Sequence, residues 1–196
     1  MRKLIHEEVV NRQKDRNQQP RLPFVVVLNN IRSLYNVGSI FRTADGAGVE
    51  KIWLCGITGC PPNNQISKTA LGAQENVPWE YREDIRALLK ELKAARHEIV
   101  LLEQTDESTP YELFQPTSPV CLVIGNEIEG VGQNILTLCD RAIEIDMAGV
   151  KNSLNVAVAF GIAAYHFRGC LRAAGKQKRL NNSNRFIGEF SQKGKG

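Results

Sequence analysis

The stretch Ile145-Asp-Met-Ala-Gly-Val-Lys-Asn-Ser-Leu-Asn-Val-Ala-Val-Ala-Phe-Gly-Ile-Ala-Ala-Tyr165 decides the fold of the C-terminal half of the chain. It predicts a strand end, a polar loop and a helix that is capped by Ser153 or Asn152. From Val156 to Ala164 no side chain is polar. We therefore expect this helix to be buried all round, by the domain core and by another subunit. Asn155 on its first turn then needs a hydrogen-bond partner, either structural or in a substrate.

A second segment, Val123-Ile-Gly-Asn-Glu-Ile-Glu-Gly-Val-Gly132, follows the most apolar predicted strand. Its glycines bracket two acidic residues at the carboxyl edge of the sheet, where α/β proteins bind their ligands. Glu127 in this place is suited to orient a hydroxyl or a guanidinium group. A plain joint between a strand and a helix explains the same residues equally well.

The third segment is Asn29-Asn-Ile-Arg-Ser-Leu-Tyr-Asn-Val-Gly-Ser-Ile-Phe-Arg-Thr-Ala-Asp-Gly-Ala-Gly48, which follows the first predicted strand. Asn36 is suited to cap the helix, and Gly38 allows another chain or a ligand to approach closely. A helix start flanked by Arg32 and Arg42 is well placed to hold a phosphate. The alternative is a capped helix with two solvated arginines.

Apolar runs and helix-periodic runs alternate along the whole chain. Because the strand runs lack polar alternation and are followed by helices, they predict an α/β fold with a mostly parallel sheet and helices on both faces. The expected strands are 24–28, 51–55, 98–102, 120–124 and 142–146, and the expected helices are 37–47, 84–96, 133–139 and 153–173.

Composition predicts one domain of about 150 residues between two polar ends. We expect a polar helical extension at 1–22, the α/β domain at 23–174 and a basic, mobile tail at 175–196. The net charge is +4, and basic residues crowd both ends. Basic ends suit contact with phosphates, although solvated tails would look the same.

The sequence lacks the signature motifs of several classes of protein. The first strand is not followed by GxGxxG, and no GxxxxGK[ST] occurs, which argues against a dinucleotide-binding oxidoreductase. Five cysteines without a CxxC pair and three histidines without metal spacing predict neither a disulfide framework nor a metal site. No apolar run is long enough for a bilayer and the start is polar, so we expect a cytoplasmic protein.

Taken together, the three segments closely resemble the three motifs of the SpoU–TrmH family in the SPOUT methyltransferase superfamily. The resemblance covers roughly residues 24–170, with the motifs in the same order and at similar gaps. It implies a SPOUT fold, in which the C-terminal part of the domain forms a deep trefoil knot. It also implies a homodimer that binds S-adenosyl-L-methionine in the knot. The segment Lys68-Thr-Ala-Leu-Gly-Ala73 is similar to the family's stretch between the first two motifs.

The resemblance assigns roles to individual residues. Its candidate catalytic residues are Asn36, Arg42, Glu127, Ser153 and Asn155. The expected cofactor-binding residues are Gly125, Ile145, Met147, Gly149 and Leu154. Two positions depart from the family pattern: Asp146 stands where most members have proline, and Ala157 stands where serine is common. The missing proline affects the wall of the cofactor pocket more than the reaction type.

The activity implied is transfer of a methyl group from S-adenosylmethionine to a ribose 2′-hydroxyl in structured RNA, either tRNA or rRNA. No metal is needed for this reaction. Arg42 would act either as the base or as the group that stabilises the developing alkoxide. RNA contacts are expected at Arg32, Lys68, Lys176, Lys178 and Arg179. The alternative is a non-catalytic RNA-binding protein that keeps the knotted fold, although such a protein would not need the full set of motif residues.

Overall fold

The computed structural model describes residues 1–17, 20–117, 119–126 and 129–193, and only the backbone at 13, 15–17 and 178–193. The strands are β1 (Leu22–Asn29), β2 (Val49–Cys55), β3 (Trp79–Arg82), β4 (Glu98–Leu102), β5 (Thr109–Pro110), β6 (Val120–Ile124) and β7 (Arg141–Glu144). The helices are α1 (His6–Asn17), α2 (Leu34–Ala47), α3 (Asn64–Ala70), α4 (Ala73–Asn76), α5 (Ile85–Ala94), α6 (Gln133–Leu136) and α7 (Val156–Lys193), with a 3₁₀ helix at Tyr111–Leu113.

The strands form one sheet in the order β3-β2-β1-β6-β4-β7-β5. Every recorded pair is parallel. At the centre, Val123 of β6 pairs with Val27 of β1 on one side and with Leu101 of β4 on the other. The predicted α/β architecture with a parallel sheet is confirmed.

Apolar cores lie on both faces of the sheet. On one face, Phe24 and Leu28 of β1 pack with Phe41 of α2 and with Phe160 and Phe167 of α7. Side chains of α5 and α6 cover the opposite face, on which alternate residues of the same strands are buried, such as Val25, Val27, Cys121 and Val123. Because β1 and β6 are covered on both faces, nearly all of their side chains are apolar, which is why the sequence shows them as unbroken apolar runs.

The helix caps differ from those predicted. Ser33 caps α2, since its hydroxyl accepts a hydrogen bond from the backbone N–H of Asn36 at 3.3 Å. Asn155 caps α7, because its Oδ1 accepts from the N–H of Ala157 at 2.9 Å. The predicted caps at Asn36 and at Ser153 or Asn152 are therefore wrong. Serine and asparagine are about equally good caps, so sequence alone cannot rank neighbouring candidates.

Other differences concern short elements and the C-terminal end. The sequence analysis did not predict β3, β5, α3 and α4, which have between two and seven residues and show little periodicity. Strand β7 ends at Glu144, so Ile145 and Asp146 belong to the loop that follows. Helix α7 runs to Lys193, beyond the helix end expected at residue 173. The segment 175–193 lacks proline, and its lysines, arginines and glutamines favour continued helix.

Helix α7 buries one face within its own chain. Phe160 and Ala164 are fully buried there, so these two residues need no second subunit to cover them. The outward face carries Val158 and Tyr165, which are 52% and 53% exposed. Among the residues described, no helix is long and apolar enough to cross a membrane.

Helices α2 and α3 meet at Gly38. A Cβ placed on Gly38 would clash with the Thr69 hydroxyl and with the Ile66 carbonyl oxygen. Gly38 does permit a close approach, but the approaching groups are the Ile66 carbonyl and the Thr69 side chain of the same chain, where the prediction named another chain or a ligand.

We expect Gly38→Ala to destabilise the protein by about 1–3 kcal/mol, because a methyl group must be forced between two packed helices. Gly169→Ala is the matched control, since a Cβ on this exposed glycine of α7 meets nothing within 4 Å. The control should be neutral or stabilising by about 0.5–1 kcal/mol. Urea unfolding followed by circular dichroism gives both values, and equal stabilities of the two variants would contradict the packing argument.

Candidate functional site

A cavity of about 270 Å³ lies at the carboxyl ends of β4, β6 and β7. This is the edge of the sheet at which the sequence predicted a ligand site. Apolar side chains of Ile124, Ile145, Leu154 and Val156 form part of its wall. Gly125 and Ser153 also line it. The structure thus brings residues of the second and third motifs together around one space.

A second cavity of about 330 Å³ lies next to the first. It is lined by Met147 and Gly149, two of the expected cofactor-binding residues, and by Asp146, the residue that departs from the family pattern. Gln104, Glu144 and Asn152 line both cavities. The expected cofactor-binding residues therefore divide between two adjoining spaces.

The turn after β6 is closed at its base by Asn126 and Gly130, whose backbone groups exchange hydrogen bonds of 3.1 and 3.0 Å. Gly130 has φ of 63°, a conformation that favours glycine. A Cβ on Gly125 would lie 2.6 Å from the carbonyl carbon of Gly130, so this turn leaves no room for a side chain there. Glu127, the candidate catalytic residue of this motif, lies outside the described residues.

Three strand-end loops are tied together near this turn. The amide of Asn126 donates to the backbone oxygen of Asn30, after β1, at 2.9 Å. Asn30 has φ of 60°, and its side-chain oxygen accepts from the N–H of Ile57, after β2, at 3.0 Å. Thr58 is buried beside them, where its hydroxyl donates to the Leu28 carbonyl and accepts from the Ile31 N–H, both at 3.0 Å. The sequence analysis did not identify these residues as part of the site.

The first and third motifs meet at a pair of asparagines. The amide of Asn155 donates to the side-chain oxygen of Asn36 at 3.0 Å, although the two residues are 119 positions apart. The Asn155 side chain uses its oxygen as the α7 cap and its nitrogen in this bond. A structural partner of Asn155 is therefore present. A role for either asparagine in contact with substrate stays a prediction.

Arg42 is exposed on α2 and is not among the residues that line either cavity. A single chain therefore does not bring the candidate catalytic arginine to the candidate cofactor site. Arg32 is exposed just before α2, and Lys68 and Lys176 are exposed on α3 and α7. The side chains of Lys178 and Arg179 lie outside the described ones. The roles of these six residues, one candidate catalytic and five candidate RNA-binding, stay predictions.

The cysteines are free thiols. Burial raises the pKa of Cys55 to about 12 and that of Cys139 to about 11, and it raises the pKa of Cys121 well above its ordinary value. A protonated thiol is a poor nucleophile and a poor metal ligand. Within the described ranges, no group of three or more His, Cys, Asp or Glu side chains is placed to hold a metal ion.

Besides Asn126, three polar residues of the cavity wall were missed by the sequence analysis: Glu103, Gln104 and Glu144. Each lies at the carboxyl end of a buried strand or directly after it. Their position gave a signal, because polar residues that follow an apolar strand run face the ligand edge of a parallel sheet. Gln104 also donates from its amide to the backbone oxygen of Asn152 at 2.9 Å, which connects the end of β4 to the third motif.

Residues 23–165 match the model of the SpoU rRNA Methylase family. The chain therefore belongs to this family, as the motif resemblance implied. It is 32% identical over 174 residues to the 23S rRNA (guanosine-2′-O-)-methyltransferase RlmB of Yersinia pestis, covering 82% of this chain and 70% of that protein.

Solved structures of the same family share the fold. The TrmH/SpoU tRNA modifying enzyme of A. aeolicus superposes with a TM-score of 0.75 at 28% identity, covering 88% of this chain and 87% of that chain. The AdoMet-bound rRNA methyltransferase from Sinorhizobium meliloti gives a TM-score of 0.70 at 28% identity and covers 78% of this chain. This chain spans only 59% of the S. meliloti chain.

The asparagine pair gives a test of the observed cap. We expect Asn155→Ala to destabilise the protein by about 1 kcal/mol, because α7 loses its cap. Asn155→Ser keeps a capping oxygen and should stay within about 0.5 kcal/mol of the wild type. Thermal or urea unfolding measures both. Asn152→Ala is the control, and a larger loss for Asn152→Ala than for Asn155→Ala would restore the cap predicted from sequence.

Proposed function

We propose that this protein transfers a methyl group from S-adenosylmethionine to a ribose 2′-hydroxyl in structured RNA, either rRNA or tRNA. The observation that carries the proposal is the cavity at the carboxyl edge of β4, β6 and β7. Residues of the second and third motifs line this cavity, and the chain belongs to the SpoU family. The relatives support it, because one is named a 23S rRNA (guanosine-2′-O-)-methyltransferase and another is described as an AdoMet-bound rRNA methyltransferase. We expect the protein to act in the cytoplasm.

The cavity suits the cofactor in chemistry and in place. Its apolar wall, formed by Ile124, Ile145, Leu154 and Val156, can enclose an adenine ring, and its polar groups can meet the ribose and the amino-acid part. Gly125 keeps the turn after β6 close to the ligand space. In this proposal Gly125, Ile145 and Leu154 hold the cofactor, and Met147 and Gly149 form the adjoining wall.

The bound cofactor supplies an electrophilic methyl group on a positively charged sulfur. The protein must place the RNA hydroxyl in line with that methyl group and help remove the hydroxyl proton. We assign this task to Arg42 and Glu127, with Ser153 at the cavity wall. The hydrogen bond between Asn36 and Asn155 joins α2 to the start of α7. In this proposal it fixes the position of α2, which carries Arg42.

A homodimer is part of the proposal, because Arg42 does not line the cavity of its own chain. The outward face of α7 exposes Val158 and Tyr165, and α2 beside it exposes Tyr35. Large exposed apolar side chains on neighbouring helices are typical of an interface. Pairing two chains through this face would bring Arg42 of one protomer toward the cofactor loop of its partner.

The trefoil knot is also a proposal. Strand β6 lies inside the sheet between β1 and β4, while β7 lies beyond β4. After β7 the chain returns across the sheet to α7, which packs against α2 and against the 3₁₀ helix at Tyr111–Leu113. The bond from Gln104 to the Asn152 backbone draws the returning loop against the end of β4. This path supports a chain threaded at 145–155, within the proposed domain of residues 23–174.

For RNA recognition we propose the exposed basic residues on the first-motif loop, on α3 and on α7. Lysine and arginine side chains at these places can bind phosphates without reading sequence. They are Arg32, Lys68 and Lys176, together with Lys178 and Arg179 further along the chain.

Calorimetry and a methyl-transfer assay test the function together. In calorimetry we expect S-adenosylmethionine to bind the wild-type protein. Mass-spectrometric mapping of cellular RNA should find a 2′-O-methyl nucleotide that is absent from the RNA of cells without the gene. Arg42→Ala should lower transfer by about 100-fold or more while changing cofactor affinity by less than about twofold, because its interaction belongs to the transition state.

Arg86→Ala is the matched control, since Arg86 is exposed on α5 at the opposite face of the sheet and pairs only with nearby Asp84 among recorded ion pairs. It should transfer methyl groups at the wild-type rate. No cofactor binding at millimolar concentration would favour the non-catalytic RNA-binding protein. An active Arg42→Ala enzyme would remove Arg42 from the reaction.

The dimer has its own test at the exposed face of α7. Wild type should sediment at micromolar concentration as a species of twice 21.9 kDa. Val158→Glu should lower the dimer fraction and the activity together, because a carboxylate in an apolar interface loses its hydration. Ala87→Glu, at an exposed residue of α5 on the opposite face of the sheet, should change neither. Ala164 is unsuitable for this purpose, since it is fully buried in the monomer. A monomeric wild type would contradict the proposal.

A further inference from the structure

Glu103 is a half-buried carboxylate in the wall of the first cavity. Its backbone N–H donates to the Ile143 carbonyl of β7 at 3.0 Å, which fixes the residue at the end of β4. A Cβ on Gly130 would clash with the Glu103 carboxylate, so this carboxylate lies directly against the turn after β6. Its position is thus set by two strands and by the second motif.

The charge of Glu103 is not balanced by the cavity wall. Among the described residues that line the cavity there is no Lys, Arg or His, and the second ionisable group is another carboxylate, Glu144. Neither residue takes part in an ion pair recorded for the described chain. The recorded partner of the Glu103 side chain is the N–H of Gln104, at 3.1 Å. The first cavity therefore presents negative charge to whatever enters it. In the adjoining cavity Lys151 and Asp146 carry opposite charges.

We propose that Glu103 makes the cofactor site selective for charge, so that it holds S-adenosylmethionine more tightly than the demethylated product. This inference rests on the proposed function. The two molecules share the adenosine and the amino-acid part and differ at sulfur, which is a cationic sulfonium in one and a neutral thioether in the other. A carboxylate attracts a cation, and the attraction is stronger in a partly enclosed cavity because the effective dielectric constant there is lower than in water.

Release of the product follows from the same charge. The ribose oxygen loses its hydroxyl proton to a base or to water and forms a bond to the methyl carbon. At the same time the carbon–sulfur bond breaks and its electron pair returns to sulfur, which becomes neutral. The attraction to Glu103 disappears in that step. The site then holds the product less tightly than the substrate and frees itself for the next turnover.

Three ligands test the proposal by calorimetry: S-adenosylmethionine, S-adenosylhomocysteine, and sinefungin, which carries an ammonium group in place of the sulfonium. We expect Glu103→Gln to lower the affinity for S-adenosylmethionine and sinefungin about fivefold, and the affinity for S-adenosylhomocysteine by less than about twofold. Glu107→Gln is the matched control, because Glu107 is exposed in the same connection between β4 and β5 and does not line the cavity. It should change none of the three affinities.

The outcomes separate this inference from the proposed function. If wild type binds none of the three ligands, the proposed function fails. If wild type binds them and Glu103→Gln weakens all three equally, Glu103 contacts a shared part of the ligand and charge selection is wrong. Unchanged affinities in Glu103→Gln would likewise overturn it. Circular dichroism of the variant tests for a folding defect. None is expected, because glutamine has nearly the same shape as glutamate.

Discussion

The insertion of β6 between β1 and β4 is the constraint on which the rest of the structure depends. Its backbone is paired on both sides, and each of its five side chains is buried. Because side chains alternate between the two faces, a slip of one residue would exchange the residues of the two cores. The register of this strand therefore determines which loops meet at the carboxyl edge. The turn closed by Asn126 lies between the loop after β1 and the loop after β4 for this reason.

Much of the sheet was predictable, because strands that are buried on both faces consist of unbroken runs of apolar residues. The runs at 24–28 and 120–124 lie within β1 and β6, and the helix predicted at 84–96 contains α5. Helix ends were less predictable, because Ser33, Asn36, Asn152, Ser153 and Asn155 all have capping side chains. Short strands such as β3 hold too few residues to show a period. Their pairing is decided by the neighbouring strand.

Part of the candidate site could be predicted, and the rest depends on three-dimensional contacts. Gly125, Ile145, Ser153 and Leu154 were expected together and do line one cavity. Arg42 was expected in the same catalytic set, and it lies outside the cavity of its own chain, because Val37, Phe41 and Ala44 are the residues that α2 turns toward the core. Glu103 was missed because its role depends on the Gly130 turn, which approaches it across 27 residues of sequence.

The ties among the three strand-end loops have a thermodynamic consequence. Asn126 lines the cavity and holds the Asn30 backbone, while the Asn30 side chain holds the loop at Ile57. A ligand that shifts Asn126 therefore alters the free energy of the loops after β1 and β2, which border the first motif. Linkage is reciprocal, so an RNA that stabilises one arrangement of those loops changes cofactor affinity by the same factor. A single coupling free energy, carried by the Asn126 and Asn30 side chains, then sets how much each ligand changes the binding of the other, whichever binds first.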